Sequence, residues 1–357
     1  MLGLVLSGTA LLAAEERLNY PPTRRVEHVD VYHGVKVPDP YRWLEADIRT
    51  SPEVAEWVAA QNKLTFAWLS RIPERPKIKR RLTELWNYEQ YSSPFKEGGR
   101  YFYLKNDGLQ NQAVLYVMES LDGPARVLVD PNRWSKDGTV ALAGLSVSED
   151  GKYLAYGRAE AGSDWTTWYI LEIDTGRVLA DELRWTKFTD AAWTKDSRGF
   201  FYTRYEEPRK GEEYQALNFN NKVYYHRVGT AQSDDVLVYY RPEHPEWFYM
   251  PEVTDDGRYL VITIGIGTDE RYRVVVKDLA EPLAMPLDLV DRFEHDFTLA
   301  GSDGPVLFFR TNLDAPRRRV IAIDLRRPQR PHWKEIVPQA EATLEQVTLV
   351  GNLLVAS

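Results

Sequence analysis

The feature that most restricts how this chain folds is a phrase that returns about every fifty residues. From residue 95 onward, a tight turn is followed by an aromatic or aliphatic strand and then by a second apolar strand. The copies are Gly98-Gly99-Arg100-Tyr101-Phe102-Tyr103, Glu149-Asp150-Gly151-Lys152-Tyr153-Leu154, Lys195-Asp196-Ser197-Arg198-Gly199-Phe200, Asp255-Asp256-Gly257-Arg258-Tyr259-Leu260 and Ser302-Asp303-Gly304-Pro305-Val306-Leu307. Positions 99, 151, 197, 257, 304 and 351 are separated by 52, 46, 60, 47 and 47 residues. A unit repeated at that period cannot bury its apolar faces alone and must stack on its copies, which is what a propeller blade does. A β-sandwich gives no such repeat. The partner strands, among them Leu115-Tyr116-Val117 and Val274-Val275-Val276, are expected to form hairpins with the strands before them across Asp-Gly turns.

The chain is therefore expected to be mainly β, with a different grammar only at its start. Ser51-Pro52-Glu53 joins an N-cap hydroxyl to a proline at the first helical position, and Val54, Trp57, Val58, Leu64 and Trp68 then recur at helical spacing. A second amphipathic stretch, with Ile78, Leu82, Leu85 and Trp86, follows Pro76, and Tyr20 to Leu44 reads as irregular. This divides the chain into residues 1–19, a truncated signal peptide; 20–90, a helical segment; and 91–357, five blades and a partial sixth. Leu2 to Ala14 is apolar, too short to span a bilayer and suited to an export signal, so a periplasmic or secreted location is expected, with the cytoplasm as the alternative. Val347 to Val355 stops in mid-blade, so the propeller is expected to be incomplete.

Charge and composition exclude several functions. With 45 basic and 53 acidic side chains the net charge is −8, which repels phosphate backbones and argues against a nucleic-acid partner. The basic run Arg317-Arg318-Arg319 flanks an apolar strand and reads as a solvated hairpin margin. There is no cysteine, which removes disulfides and thiolate chemistry. The six histidines form no closely spaced pair, so neither a metal nor another cofactor is expected, and no segment calls for a membrane. A propeller glycosidase or lectin would need paired carboxylates, whereas the repeated acids here sit in Asp-Gly turns, where their backbone geometry explains them.

Several longer stretches carry a resemblance. His33-Gly34-Val35-Lys36-Val37-Pro38-Asp39-Pro40-Tyr41-Arg42-Trp43-Leu44-Glu45, Trp134-Ser135-Lys136-Asp137-Gly138-Thr139-Val140, Ala161-Gly162-Ser163-Asp164-Trp165 and Trp333-Lys334-Glu335-Ile336-Val337-Pro338 follow in the order found in prolyl oligopeptidases, which the chain resembles from about residue 20 to its end. The second and third stretches resemble the proline-specific branch more than the sister enzymes that cleave after basic residues, which remain the alternative beside a free-standing binding propeller. The resemblance implies a seven-bladed propeller that gates access to an α/β-hydrolase domain bearing a Ser-Asp-His triad, with short proline-containing peptides as substrates and a monomer at full length.

No G-x-S-x-G nucleophile elbow occurs in this sequence. The nearest match, Ala300-Gly301-Ser302-Asp303-Gly304, leads into the strand Val306-Leu307-Phe308-Phe309, so Ser302 is not read as a nucleophile and no catalytic residue is expected. The hydrolase domain that the resemblance implies is thus expected to be absent from this sequence, and the chain alone is expected to be inactive. By resemblance, Phe188 matches an aromatic lining the subsite upstream of the proline pocket. In the loop Ile264 to Asp269, mammalian relatives place an arginine and a reactive cysteine where this chain has Gly265 and Thr268; Thr268 is expected to border the same subsite. Asp164-Trp165 is read as a turn or domain-contact pair.

Overall fold

The computed structural model describes residues 18–209, 213 and 217–357. The apolar stretch Leu2 to Ala14 lies outside them. The chain separates into two compact units, Met1–Trp86 and Asn87–Ser357.

In the first unit, α1 (Pro52–Leu69) starts as its sequence predicts, with the Ser51 hydroxyl accepting from the Val54 backbone N–H at 3.4 Å and Pro52 at the first position. The second helix, α2, runs over Arg75–Trp86. The leader is less irregular than expected, because Val29–Tyr32 and Val35–Pro38 pair as a hairpin. His33 and Gly34 make its turn, both with positive φ. Trp57 does not project outward. Its indole donates to Thr23 Oγ1 at 2.9 Å and packs edge-on to Trp43, so the leader covers that face of α1. Ile78, Leu82, Leu85 and Trp86 form an exposed apolar stripe along α2. Among the described residues no helix is long and apolar enough to cross a membrane.

The second unit consists of repeated antiparallel sheets. Blade 1 runs from Gln90 to Val129; blade 2 has strands Val140–Val147, Tyr153–Glu160, Thr166–Glu172 and Arg177–Thr186. Blade 3 has Ala192–Trp193, Gly199–Arg204, Lys222–Arg227 and Val236–Tyr239; blade 4 has Trp247–Val253, Tyr259–Ile266, Arg273–Asp278 and Leu287–Val290. Blade 5 has Phe297–Asp303, Val306–Thr311, Arg319–Asp324 and Lys334–Val337, and the hairpin Val347–Val350 with Leu353–Ala356 follows. The first strands of blades 2, 3 and 4 contact one another in turn, which gathers them on the inner side.

The sequence repeat captured the two middle strands of each blade. The flanking ones are short, as at Ala192–Trp193, or largely exposed, as at Val236–Tyr239, so hydrophobicity barely marks them. The Asp-Gly turns also join different strands from those expected: they link each first strand to the second, as between Val147 and Tyr153, and not the second to the third.

The core lies between blades. Leu154 and Tyr156 face Phe102 and Leu115 of blade 1, whereas Ala155 faces Phe200 and Tyr202 of blade 3. In the same way Leu260 and Ile262 join Phe201 and Val223 of blade 3, while Val261 joins Leu307 and Phe309 of blade 5. Both faces of a middle strand are thus buried, which is why Leu260-Val261-Ile262 is apolar without alternation.

Candidate functional site

At the end of blades 3 and 4 opposite the Asp-Gly turns, two loops and the segment before Lys222–Arg227 surround a cleft of about 540 Å³. It is lined by aromatic and apolar groups, Phe188, Tyr205, Leu217, Phe219, Phe248 and Ile266, with a few polar ones between them. That size and mixture suit a small-molecule or short-peptide site. The expected residues Phe188 and Thr268 both line it.

The first wall is the connection from blade 2 to blade 3. Thr186 anchors it through a hydrogen bond from its hydroxyl to the Thr166 carbonyl at 2.6 Å, and Tyr205 N–H donates to the Trp185 carbonyl at 2.9 Å. Thr203 N–H donates to Thr189 Oγ1 at 2.9 Å. Between these ties Trp185 and Phe188 both adopt positive φ, 61° and 52°. For an aromatic residue that region costs of order 1–3 kcal/mol and persists only where the surroundings impose it. The result holds the Phe188 ring outward, 67% exposed, against the expectation that an apolar ring should hide.

The second wall is the turn after Tyr259–Ile266. Asp269 N–H donates to the Ile266 carbonyl at 3.1 Å, and Gly267 supplies the positive φ of 55°. Asp269 is bonded to Arg271, which holds its carboxyl down to about 2 and turns it into a closing element of the loop. Gly265 has a packing reason for lacking a side chain: a Cβ there would fall 2.2 Å from Phe248 Cζ, so the Phe248 ring occupies the space a larger residue would claim.

Three polar groups of the cleft escaped sequence reasoning. Lys187 is only 8% exposed, and its ammonium sits 3.9 Å from the centroid of Trp165 and donates to Asn218 Oδ1 at 2.8 Å. Burial pulls its pKa below the usual lysine value, partly countered by Asp164. Trp165, read from sequence as a turn or contact residue, stands in the connection between Tyr153–Glu160 and Thr166–Glu172 and also backs this wall, edge-on to Trp185 and Tyr205. Burial also pushes Tyr205 up to about 12. Asn221 accepts from Tyr249 N–H at 3.0 Å, while its Nδ2 is buried with no partner. A Lys-Phe pair inside a strand-to-strand loop was the available signal, and it was read for the ring alone.

Ser302 lies within Phe297–Asp303, which turns directly into a strand and not a helix. Among the described residues a triad-like geometry does occur at His226, but it is closed. Nδ1 meets Asp235 Oδ1 at 2.7 Å and Nε2 meets Asp181 Oδ1 at 3.0 Å, all three side chains being buried. With a carboxylate on each ring nitrogen, the imidazole has no free position with which to accept a proton from a nucleophile. Burial alone would lower its pKa; the two carboxylates reverse this and raise it to about 8. No group of three or more His, Cys, Asp or Glu that could hold a metal ion is present among the described residues.

A family profile described as "Prolyl oligopeptidase, N-terminal beta-propeller domain" matches residues 21–357. The chain belongs to the prolyl oligopeptidase family. Within that family it is 37% identical over 328 residues to a prolyl endopeptidase of Elizabethkingia meningoseptica, covering 92% of this chain and 46% of that protein. Prolyl oligopeptidase A of Amanita bisporigera is 35% identical over 370 residues, with 93% of this chain and 48% of the relative covered. Among solved structures, prolyl oligopeptidase B of Galerina marginata bound to a 35mer hydrolysis and macrocyclization substrate aligns with a TM-score of 0.81 at 32% identity, over 95% of this chain and 50% of that one. The chain spans about half the length of these oligopeptidases and corresponds to their N-terminal propeller portion.

Proposed function

We propose that this chain is the access-controlling part of a proline-specific serine endopeptidase, working with an α/β-hydrolase domain that carries the Ser-Asp-His triad. The observation that carries this reading is the match to the propeller domain of the prolyl oligopeptidases over nearly the whole chain, at about half their length. The cleft supports a role in holding substrate. Phe188 is kept outward at the cost of backbone strain, and Thr268 faces it from the next blade, so together they border a peptide upstream of its proline. The exposed stripe of α2 suits the surface on which the hydrolase domain packs. Export to the periplasm is part of the same reading, supported by the apolar run Leu2 to Ala14.

Taken by itself the chain hydrolyses nothing, because removing the triad leaves no activated nucleophile. Incubation of the purified chain with a chromogenic Gly-Pro substrate checks this. No turnover is expected, and turnover abolished by an organophosphonate would overturn the assignment. Binding is the positive test: a blocked Gly-Pro peptide should bind the chain, and Phe188→Ala should weaken that binding roughly three- to tenfold, as expected for a lost aromatic contact.

A further inference from the structure

Two polar groups of the cleft are incompletely matched: the Lys187 ammonium has no anion beside it, and Asn221 Nδ2 has no acceptor. An ammonium carries three N–H bonds, and Lys187 commits one to Asn218 Oδ1 at 2.8 Å while its charge rests against the Trp165 face. Among the described residues no carboxylate lies within ion-pair distance of it, and Asp164 acts on it only from further away. Asn221, 1% exposed, is oriented by the Tyr249 N–H on its oxygen, which fixes Nδ2 as the orphaned end. A buried donor without a partner carries an uncompensated desolvation penalty, and a buried cation without an anion is a comparable burden. Both groups line the same cleft as Phe188. The other charged residue lining it, Glu246, leans toward His244 at 3.6 Å.

We propose that this cleft recognises a carboxylate of the peptide it binds, with Lys187 supplying the charge and Asn221 Nδ2 a directed hydrogen bond, so that a peptide bearing an anion near its proline is preferred over its neutral counterpart. The proposal rests on the peptide-binding reading of the cleft and adds a specificity to it. An anion seated there satisfies both donors at once and compensates the lysine for lost hydration. The carboxylate comes either from an acidic side chain or from a free peptide C-terminus, and Phe188, Leu217 and Phe219 offer apolar contact to the remainder of the peptide.

Calorimetric titration of the full chain at low salt tests this with blocked peptides. Acetyl-Asp-Ala-Gly-Pro-amide and acetyl-Ala-Asp-Gly-Pro-amide are compared with their Asn counterparts, and Ala-Gly-Pro acid with its amide. At least one carboxylate peptide should bind about fivefold or more tightly than its neutral twin, the scale of one partly buried ion pair. Lys187→Met should abolish that difference, so that the two members of each pair bind alike. Lys187→Arg should retain it, Asn221→Ala should reduce it, and raising the salt should shrink it for the unaltered chain, a readout that needs no variant to fold. Equal binding of every pair, or a preference untouched by Lys187→Met, would overturn the proposal and leave the peptide site standing. If no peptide binds at all, the peptide-binding reading of the cleft falls, and the anion preference with it.

Discussion

His226 shows how one side chain ties two blades together. It belongs to the third strand of blade 3, yet one of its carboxylates, Asp181, stands on the outer strand of blade 2. Tyr202 OH donates to Asp235 Oδ2 at 2.6 Å and Gly229 N–H to Asp181 Oδ1 at 2.6 Å, completing the shell of polar groups around the ring. Because the folded pKa is raised from 6.5 to about 8, the imidazolium contributes stability that is fully present below pH 6.5 and lost as pH rises through 8. The difference corresponds to about 2 kcal/mol. Asp181 works in the opposite direction: burial raises its pKa, the bonds from His226 and Gly229 more than offset this, and the net lowering gives stability that is lost on acidification. Thermal melting followed from pH 6 to 9 should therefore show a fall in midpoint that His226→Gln flattens, and the substitution itself should cost about 3–5 kcal/mol at pH 6 by leaving buried carboxylates uncompensated. Gly265→Ala is the matching test at the cleft. Its methyl must displace the Phe248 ring, so about 1–3 kcal/mol of stability and a measurable part of the peptide affinity should be lost together.

At the scale of the element, the turns between first and second strands are built by a device that sequence reading caught only in part. The Asp-Gly phrase was visible, but its working partner is the hydroxyl two residues earlier. Ser148, Thr194 and Thr254 each donate to the following Asp, at 2.7, 2.7 and 2.6 Å. The same Asp then accepts from the backbone N–H of Lys152, Arg198 or Arg258 at 3.0, 3.1 and 3.0 Å. Thr254 is nearly buried, and its Oγ1 also accepts from Tyr259 N–H at 3.0 Å. Thr254→Val keeps the shape and removes the hydroxyl, so urea unfolding should report a loss of about 1–3 kcal/mol. The period and the middle strands were legible because they are long and apolar. The cleft was legible only where resemblance marked Phe188 and Thr268; Lys187 and Asn221 are polar residues whose meaning arises from burial and from missing partners, and no spacing rule signals either. The cover over Trp57 was no more legible, since it comes from Thr23 and Trp43 far away in sequence.

For the whole molecule, exposed apolar surface decides behaviour in solution. Ile78, Leu82, Leu85 and Trp86 line one side of α2, and Val350, Leu353 and Val355 are exposed on the hairpin after blade 5. Patches of this kind drive association, so the purified chain should elute from size-exclusion chromatography as concentration-dependent oligomers, and Leu82→Lys with Trp86→Gln should shift it toward the monomer. A sharp monomer peak for the unaltered chain at all concentrations would contradict this. The sharing of each middle strand between two cores has a further consequence for how the molecule comes apart. Blades 1 to 5 are joined by four apolar seams, whereas the hairpin Val347–Ala356 places no residue in a buried cluster and meets blade 5 through its first strand, where Leu349 lies over Gly301. The assembly thus behaves like a row of clasped hands, in which nobody can let go with one hand alone: Tyr156 and Ala155 are neighbours on one strand but answer to different blades. Amide exchange should accordingly run in steps along the row, beginning at the hairpin and ending in blades 2 to 4, where loosening any strand releases both of its neighbours at once.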